Sequence, residues 1–342
     1  MQSFRASIRR NKFSYLAVFA AQVLIAGFMV LCNAAGHELG KPQNDSAPAQ
    51  SATPQPAEQP SAEPQYDPAI FVNPVPANQL TFLSSFDGSM SNDVMQDKQY
   101  RKLLHAIVPD CMFHYGSDMP LMTALDDVIE GSQEPAQIRE GRYLTISGRM
   151  GRYLAGRGMI WIDMQSGIGI GAFYFHPTNG EPTPTVNVFS RQLKEKSLEM
   201  SQLPPAFADD LTAWYAANGI SSVTTRYFIT GANQKIVLEH DEDYCAPATG
   251  ATGPDQEDCE QMNADAADVD MNAALYVEQT HHATNATEWM IEDQDQVVWI
   301  QVRDDTCRAD RDPLACHIRM TRDRTRVILS GRRPPPAPHP HI

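Results

Sequence analysis

Three arginines lie in one short connection between two predicted strands. The segment GRYLTISGRMGRYLAGRGMIWID covers residues 141–163, and Arg149, Arg152 and Arg157 separate its two apolar runs. A guanidinium group can hold a carboxylate through two charge-assisted hydrogen bonds. In a chain of net charge -15, this cluster indicates either a docking point for an acidic partner group or pairing with the chain's own carboxylates. The candidate partner-binding residues are Arg149, Arg152, Tyr153 and Arg157.

Two motifs in the sequence resemble enzyme or metal-binding signatures, but the residues within or around them do not fit those sites. GIGIGA at 167–172 has the glycine spacing of a dinucleotide site, but FYFHP follows it, where that site needs a helix. DVDMNAALYVEQ at 268–279 lacks the turn glycine and the final glutamate of a calcium loop. We therefore predict a non-enzymatic protein without cofactor or metal. The enzymatic alternative is a hydrolase whose carboxylates or histidines converge around His176.

Four cysteines of the C-terminal third predict disulfide bonds, because cysteines of exported proteins are usually oxidised. These candidates fall near the ends of predicted helices and are Cys245, Cys259, Cys307 and Cys316. Two bridges among four cysteines allow three connectivities, which the sequence leaves open. Cys111 is left over, either as a free thiol or as the partner of Cys32.

Residues 1–35 have the order of a targeting segment. Four cations precede the apolar run 13–32, and the small residues NAAG follow it, which is typical of a secretory signal. A run of this length can also span a bilayer, so an uncleaved anchor in the inner membrane is the alternative. Either interpretation predicts an exported protein, periplasmic or secreted. Residues 36–79 are predicted as a disordered Pro/Ala/Gln-rich linker, and 332–342 as a Pro-rich tail.

The sequence between linker and tail predicts two folded regions. From 80 to 243, alternating apolar runs with few helical patterns predict an antiparallel-sheet domain, hence α+β. Within it, GMIWIDM and GIGIGAFYFH flank QSG and predict a hairpin. From 244 to 331, the pattern predicts a small disulfide-stapled three-helix domain. Its helices are expected at 256–280, 284–306 and 313–329, and the core candidates of the second are Trp289, Val297, Trp299 and Ile300.

Charge is distributed unevenly along the chain. Sixteen Asp or Glu and no Lys or Arg occur from Glu239 to Asp295, whereas nine arginines occur from Arg303 to Arg333. An acidic exported protein is poorly suited to nucleic acid. Its surface would instead accelerate the approach of a basic protein partner at low salt, or would simply keep the protein soluble.

Sequence motifs of the helical region carry a family resemblance. They are Cys245, DQEDC ending at Cys259, MNAALY (271–276), QDQVVWIQVRDDTC (294–307) and CHIRMTRDRTRVIL (316–329). Together they resemble the LprI-like lysozyme-inhibitor domain family over about 85 residues. A physical interpretation agrees with the resemblance, since cysteines would staple helix ends, Trp299 would fill the core, and Arg303 and Asp304 would pair or cap near a helix end.

The connection with the arginines carries a weaker resemblance. A predicted strand ends at Ser147-Gly148, and Arg149, Arg152 and Leu154 follow it. In place and order this is similar to Ivy-type inhibitors of vertebrate lysozyme, where a Cys-x-Pro-His-x-Cys loop sends its histidine into the enzyme's cleft. Both cysteines and the histidine are absent here. The resemblance therefore implies the place of the loop, while Arg152 would offer a guanidinium to one of lysozyme's two carboxylates.

These patterns together predict an exported lysozyme-inhibitor-like binding protein that protects peptidoglycan from a muramidase. A basic lysozyme is the expected partner. The alternative is a structural or assembly protein of the envelope that reuses these folds as a scaffold and is held near a membrane through residues 13–32.

Overall fold

The computed structural model describes most of the chain after residue 65. The described ranges are 66–131, 134–150, 156–175, 184–193, 198–230, 235–246, 256–282 and 286–331. The predicted signal or anchor, most of the predicted linker and the predicted tail lie outside them. The described residues belong to one unit, Ser61–Ile342. Within those ranges, no helix combines the length and apolarity that crossing a membrane requires.

The described elements form an α+β fold with an antiparallel-dominated sheet, as predicted. Its helices are α1 (Ser91–Gln96), α2 (Lys98–Ile107), α3 (Leu121–Ile129), α4 (Pro205–Asn218), α5 (Gln256–His282), α6 (Ala286–Arg308) and α7 (Pro313–Leu329). Its strands are β1 (Met112–His114), β2 (Asp118–Pro120), β3 (Gln137–Arg139), β4 (Tyr143–Arg149), β5 (Arg157–Asp163), β6 (Ile168–Phe175), β7 (Thr185–Phe189), β8 (Leu198–Glu199), β9 (Thr225–Ile229) and β10 (Lys235–Glu239).

The main sheet has eight strands in the order β3-β4-β5-β6-β7-β9-β10-β8. Neighbours from β3 to β7 are antiparallel, which agrees with the prediction. Two neighbouring pairs differ, because β7 runs parallel to β9 and β10 runs parallel to β8. Parallel neighbours need a long crossover, and the chain between β7 and β9 supplies one that contains β8 and α4.

The predicted hairpin at 157–175 is confirmed as β5 and β6. Asp163 shapes its turn by accepting hydrogen bonds from the backbone of Gln165 (2.9 Å) and Ser166 (3.2 Å). Gly167 completes the turn with a φ of 73°. A side chain there would also overlap the carbonyl of Val75, so this position requires glycine for two separate reasons.

Both faces of the sheet are covered by helices. One face packs beneath α1, α2 and α3 through buried residues that include Leu144, Ile160 and Phe173. The other face packs on α4, where Trp161 and Phe207 make an edge-to-face contact. Alternation along each strand divides its side chains between these two layers.

The C-terminal helices pack directly on the far end of the sheet. Met271 of α5 and Ile328 of α7 share a buried cluster with Tyr227 of β9 and Val237 of β10. This third cluster is separate from the two that cover the sheet faces, and it contains residues from both predicted regions. The boundary predicted between 243 and 244 stays a prediction.

Two disulfides join the helix ends. They are Cys245–Cys259 and Cys307–Cys316, so one of the three open connectivities is chosen. Cys111 is a free, buried thiol. Asp312 caps α7 by accepting the backbone hydrogen of Ala315, with Pro313 at the first helical position.

One core prediction for the second helix is wrong. Val297 is 54% exposed, because α6 turns Gln296 and Arg303 toward α5 and α7 instead. Trp299 lies between two guanidinium groups, with Arg303 at 5.5 Å and Arg324 at 5.3 Å from its ring. The inner side of α6 is therefore more polar than predicted, while Trp299 is partly buried and packs against the cluster of Met271 and Ile328.

The folded region also begins before residue 80. The segment that was predicted to end the linker contains the 3-10 turns Pro68–Ile70 and Ala77–Gln79. Phe71 is 6% exposed and belongs to the core on the α4 side. The low-complexity composition ends at residue 65. Apolar side chains after that residue, such as Phe71, pack against the sheet.

Candidate partner-binding surface

One row of side chains crosses five strands on a single face of the sheet. Strand register aligns Arg149 with Arg157, Arg157 with Tyr174, and Tyr174 with Val186. Val186 in turn lies beside Arg226 of β9. Because side chains alternate along strands, all five point to the face that α4 covers further along. We call this set the arginine row; it has two arginines at the β4–β5 hairpin end and one in the interior.

Arg149 ends β4 and is the most exposed member of the row. Its side chain is 63% exposed, and its Nε lies 3.5 Å from Oε1 of Glu134. The other oxygen of Glu134 accepts the hydroxyl of Ser147 at 2.9 Å. A long, exposed ion pair of this kind contributes little to folding, on the order of 0–1 kcal/mol. Arg149 can therefore exchange Glu134 for a partner's carboxylate at little cost.

Arg157 begins β5 and has a different environment. It is half-buried, and its Nη1 donates to the carbonyl of Gly156 at 3.0 Å. No carboxylate of the described residues lies within ion-pair distance of it. Its neighbours include the phenol groups of Tyr115 and Tyr174. Burial raises the pKa of both phenols, and the positive charge of Arg157 partly opposes both shifts. The guanidinium is thus held in place without being neutralised by a described residue.

Gly156 precedes β5 at the hairpin end and lies against the side chain of Tyr115. The carbonyl of Gly156 accepts the backbone hydrogen of Met150 at 3.1 Å. A Cβ on Gly156 would overlap the hydroxyl of Tyr115, whose ring packs on Phe173 with centroids 5.0 Å apart. The absence of a side chain therefore lets the Tyr115 ring reach the base of the connection.

Two of the four predicted partner-binding residues can be placed. Arg149 and Arg157 form a cross-strand pair at the hairpin end, so the structure brings them together as strand residues rather than loop residues. Arg152 and Tyr153 belong to 151–155, which lies outside the described residues. The same holds for His176, around which the hydrolase alternative was built.

The interior end of the row is a buried ion pair that the sequence did not predict. The side chain of Arg226 is 2% exposed and donates to both oxygens of Glu242, at 2.7 and 2.9 Å. Burial alone would raise the pKa of Glu242, but the hydrogen bonds and charge of Arg226 hold it at about 2. Both terminal nitrogens of this arginine are bound to Glu242, whereas its buried Nε has no hydrogen-bond partner among the described residues.

Comparisons with protein-family models, with curated proteins and with solved structures find no match for this chain. The resemblances to lysozyme inhibitors therefore rest on sequence motifs alone.

A second charged cluster joins α5 to β10. His240 donates its backbone hydrogen to one oxygen of Asp270, and its Nδ1 lies 2.7 Å from the other. Its Nε2 faces the carbonyl of Ser222 at 3.3 Å. A general base needs one ring nitrogen open to a substrate. Here both nitrogens face acceptors within the buried junction, so this pair fits a structural tie.

The carboxylates that resembled a calcium loop have internal partners. Asp268 accepts Arg303 at 2.6 Å and lies 3.1 Å from Nε2 of His317, while Asp270 pairs with His240. Among the described residues, no three His, Cys, Asp or Glu side chains converge as a metal site would require.

Local sequence patterns could not have revealed these pairs. Arg226 sits in the alternating run VTTRYFIT, where its position reads as an ordinary strand residue. The one available signal was the acidic run from Glu239 to Asp243 directly after a strand, which indicated that some cation of the fold would have to lie beside it.

Proposed function

We propose that the protein is an exported lysozyme-inhibitor-like binding protein that protects peptidoglycan from a muramidase. The observation that carries the proposal is the cross-strand pair Arg149–Arg157 at the hairpin end. The two arginines lie there opposite each other on neighbouring strands, on either side of the connection 151–155. The action is binding, and it needs no catalytic group from this chain.

The chemistry of the target matches this pair. Lysozyme works with two carboxylates in its cleft, and a guanidinium can hold a carboxylate through two parallel hydrogen bonds. Arg157 has no carboxylate partner among the described residues, and Arg149 has only a loose one at 3.5 Å. Docking the hairpin end in the cleft would therefore gain charge-assisted bonds while breaking little within the inhibitor.

Overall charge and redox chemistry support the same proposal. The net charge of -15 would attract a basic lysozyme and speed its association, an effect that falls as salt rises. The two disulfides suit an oxidising compartment outside the cytosol, where peptidoglycan lies.

The direct test measures inhibition of a panel of lysozymes by the protein from residue 36 onward, followed by calorimetry on any complex. We expect submicromolar inhibition that weakens with salt. Arg157→Ala should cost about 2 kcal/mol of binding if this side chain is a central anchor. Arg308→Ala, which removes a 75% exposed arginine outside the row, is the matched control and should change nothing. The proposal fails if no lysozyme is inhibited and no complex forms.

The competing proposal is an envelope scaffold, and one observation favours it. Arg149 already has an internal acid, Glu134, as surface cations of an acidic chain do. On this proposal the N-terminus is uncleaved and the protein co-purifies with a membrane complex. Pull-down from envelope extract, with lysozymes added in parallel, separates the two proposals.

A further inference from the structure

A groove outside the arginine row lies between α2 and the segment 72–82, which includes the 3-10 turn Ala77–Gln79. Its volume is about 810 Å³, which falls within the range of small-molecule sites. The helical wall consists of Gln99, Lys102, Leu103 and Ala106. Their spacing of three, four and seven residues places them on one stripe of α2, so the helix presents a continuous side to the groove.

The opposite wall is fixed to the sheet before any ligand arrives. Val72 donates its backbone hydrogen to Gln192 at 2.6 Å, and Val75 donates to Gly167 at 2.9 Å. The side chain of Gln192, which is buried, donates to the carbonyls of Gly167 and Asn73. Pro74 and Pro76 further restrict this stretch. A wall held in this way loses little conformational entropy on binding.

The groove lining has an unusual charge for this chain. Four side-chain amides and one hydroxyl line it, from Asn73, Asn78, Gln79, Gln99 and Thr81. Phe82 and Leu103 supply apolar surface, and Lys102 is the charged residue of the lining. None of the described residues that line the groove carries a carboxylate, although the chain has net charge -15. The groove therefore favours a neutral or anionic ligand over a cationic one.

Its backbone disfavours an extended peptide. Strand addition needs free backbone donors and acceptors along the wall. Pro74 and Pro76 have no N–H group, and the N–H of Val75 is already bound to Gly167. Recognition must therefore use the side-chain amides, which donate and accept at once. Sugar hydroxyl and acetamido groups also donate and accept, and the C–H face of a pyranose ring can pack on Phe82.

We propose that this groove binds an oligosaccharide of N-acetylated amino sugars that carries carboxylate groups. The amide side chains hold its hydroxyl and acetamido groups, and Lys102 pairs with a carboxylate. This site is separate from the protein-binding surface at the hairpin end.

Calorimetry on the full-length protein tests the proposal with two probes. One is a neutral tetrasaccharide of N-acetylglucosamine, and the other alternates N-acetylglucosamine with N-acetylmuramic acid, which adds carboxylates. We expect the anionic probe to bind about tenfold more tightly, as one charge-assisted hydrogen bond would give. Lys102→Gln should remove that difference, because it weakens the anionic probe more than the neutral one. Gln99→Ala should weaken both probes.

Lys98→Gln is the matched control, since Lys98 is an exposed cation of α2 that does not line the groove. Equal losses from Lys102→Gln and Lys98→Gln would mean unspecific attraction and would overturn the proposal. Absence of binding by both saccharides at millimolar concentration, or binding of a proline-rich peptide in their place, would overturn it as well. The titration contains no lysozyme, so its outcome is independent of the inhibitor proposal.

Discussion

The arginines at the two ends of the arginine row have opposite environments. Arg226 is 2% exposed and makes two hydrogen bonds to Glu242. Arg149 is 63% exposed and lies 3.5 Å from Glu134. A buried charge that loses its partner destabilises a protein strongly, whereas an exposed one regains water. Burial along the row therefore determines whether an arginine stabilises the fold or is available to bind a partner.

The surroundings of the interior end follow the same rule. His240 and Asp270 tie β10 to α5 within the buried junction. Glu239 of β10 is in register with Glu199 of β8, which places two carboxylates side by side. Buried ionic contacts therefore lie where helices meet the sheet, whereas the ion pair at the hairpin end is exposed.

The largest expected effect comes from removing the acid at the interior end. Glu242→Gln leaves Arg226 buried without a counter-charge, and we expect a loss of about 3 kcal/mol in the free energy of unfolding. This is the lower part of the range for buried pairs, because the side chain of Glu242 is 39% exposed and admits water. Denaturant unfolding measures it. Glu140→Gln, at a 62% exposed side chain, is the control. Equal losses of unfolding free energy in the two variants would contradict the distinction between buried and exposed ion pairs.

Glu239 should make stability depend on pH in the neutral range. Burial raises its pKa from 4.5 to about 7, and Asp270, Glu199 and Asp241 add to the shift while Arg326 opposes it. Between these two pKa values the folded state holds a proton that the unfolded chain releases. The free energy of unfolding should therefore fall as pH rises through this window, by on the order of 2 kcal/mol.

The measurement for Glu239 is chemical unfolding at pH 5 and pH 8. Glu239→Gln keeps the shape of the side chain and removes its titration, so the difference between wild type and variant isolates this group. The same pH dependence in both proteins would show that Glu239 has no part in it. Glu242 acts in the opposite direction, because its lowered pKa of about 2 gives stability that is lost as pH falls below 4.5 toward 2.

A smaller effect is expected at the base of the hairpin. Gly156→Ala would push a methyl group into the hydroxyl of Tyr115, whose ring is held by Phe173 and Phe175. Overpacking of this kind costs about 1–2 kcal/mol. Thermal unfolding of the variant tests it, and adding Tyr115→Phe should recover part of the loss because the overlapping oxygen is gone. Full independence of the two substitutions would contradict the packing argument.

The smallest effect is expected at the exposed end of the row. Arg149→Ala removes a loose surface pair and should change the free energy of unfolding by less than about 0.5 kcal/mol. Denaturant unfolding measures this loss, and the loss in Arg308→Ala, measured in the same way, shows what removing an exposed arginine costs. A loss comparable to that of Glu242→Gln would mean that Arg149 belongs to the fold, and the inhibitor proposal would lose one of its two arginines.

Local patterns predicted the elements of this chain well. The apolar runs that flank QSG predicted the β5–β6 hairpin, and the helix expected at 313–329 matches α7, because turns and caps are determined by a few adjacent residues. The α+β class and the four bonded cysteines followed from the same kind of signal. Arg149 and Arg157 were found from their position between two apolar runs, where several cations stand out in an acidic chain.

Contacts between distant segments were beyond those patterns. The parallel pairing of β7 with β9 depends on a crossover, and nothing within either strand encodes its neighbour. Val297 has the character of a core residue, but α6 packs through a polar side whose partners come from α5 and α7. The pair of Arg226 and Glu242 joins a strand to the segment after the next strand, so its burial depends on the assembled sheet.

The free thiol of Cys111 gives this fold an internal chemical reporter. Four other cysteines of the described residues are held in disulfides, and Cys111 is buried with its pKa raised to about 11 by that burial. Its thiolate is therefore scarce and shielded at neutral pH. Alkylation of Cys111 should proceed only when the layer of α2 and α3 lifts from the sheet, so its labelling rate reads out how often this side of the molecule opens.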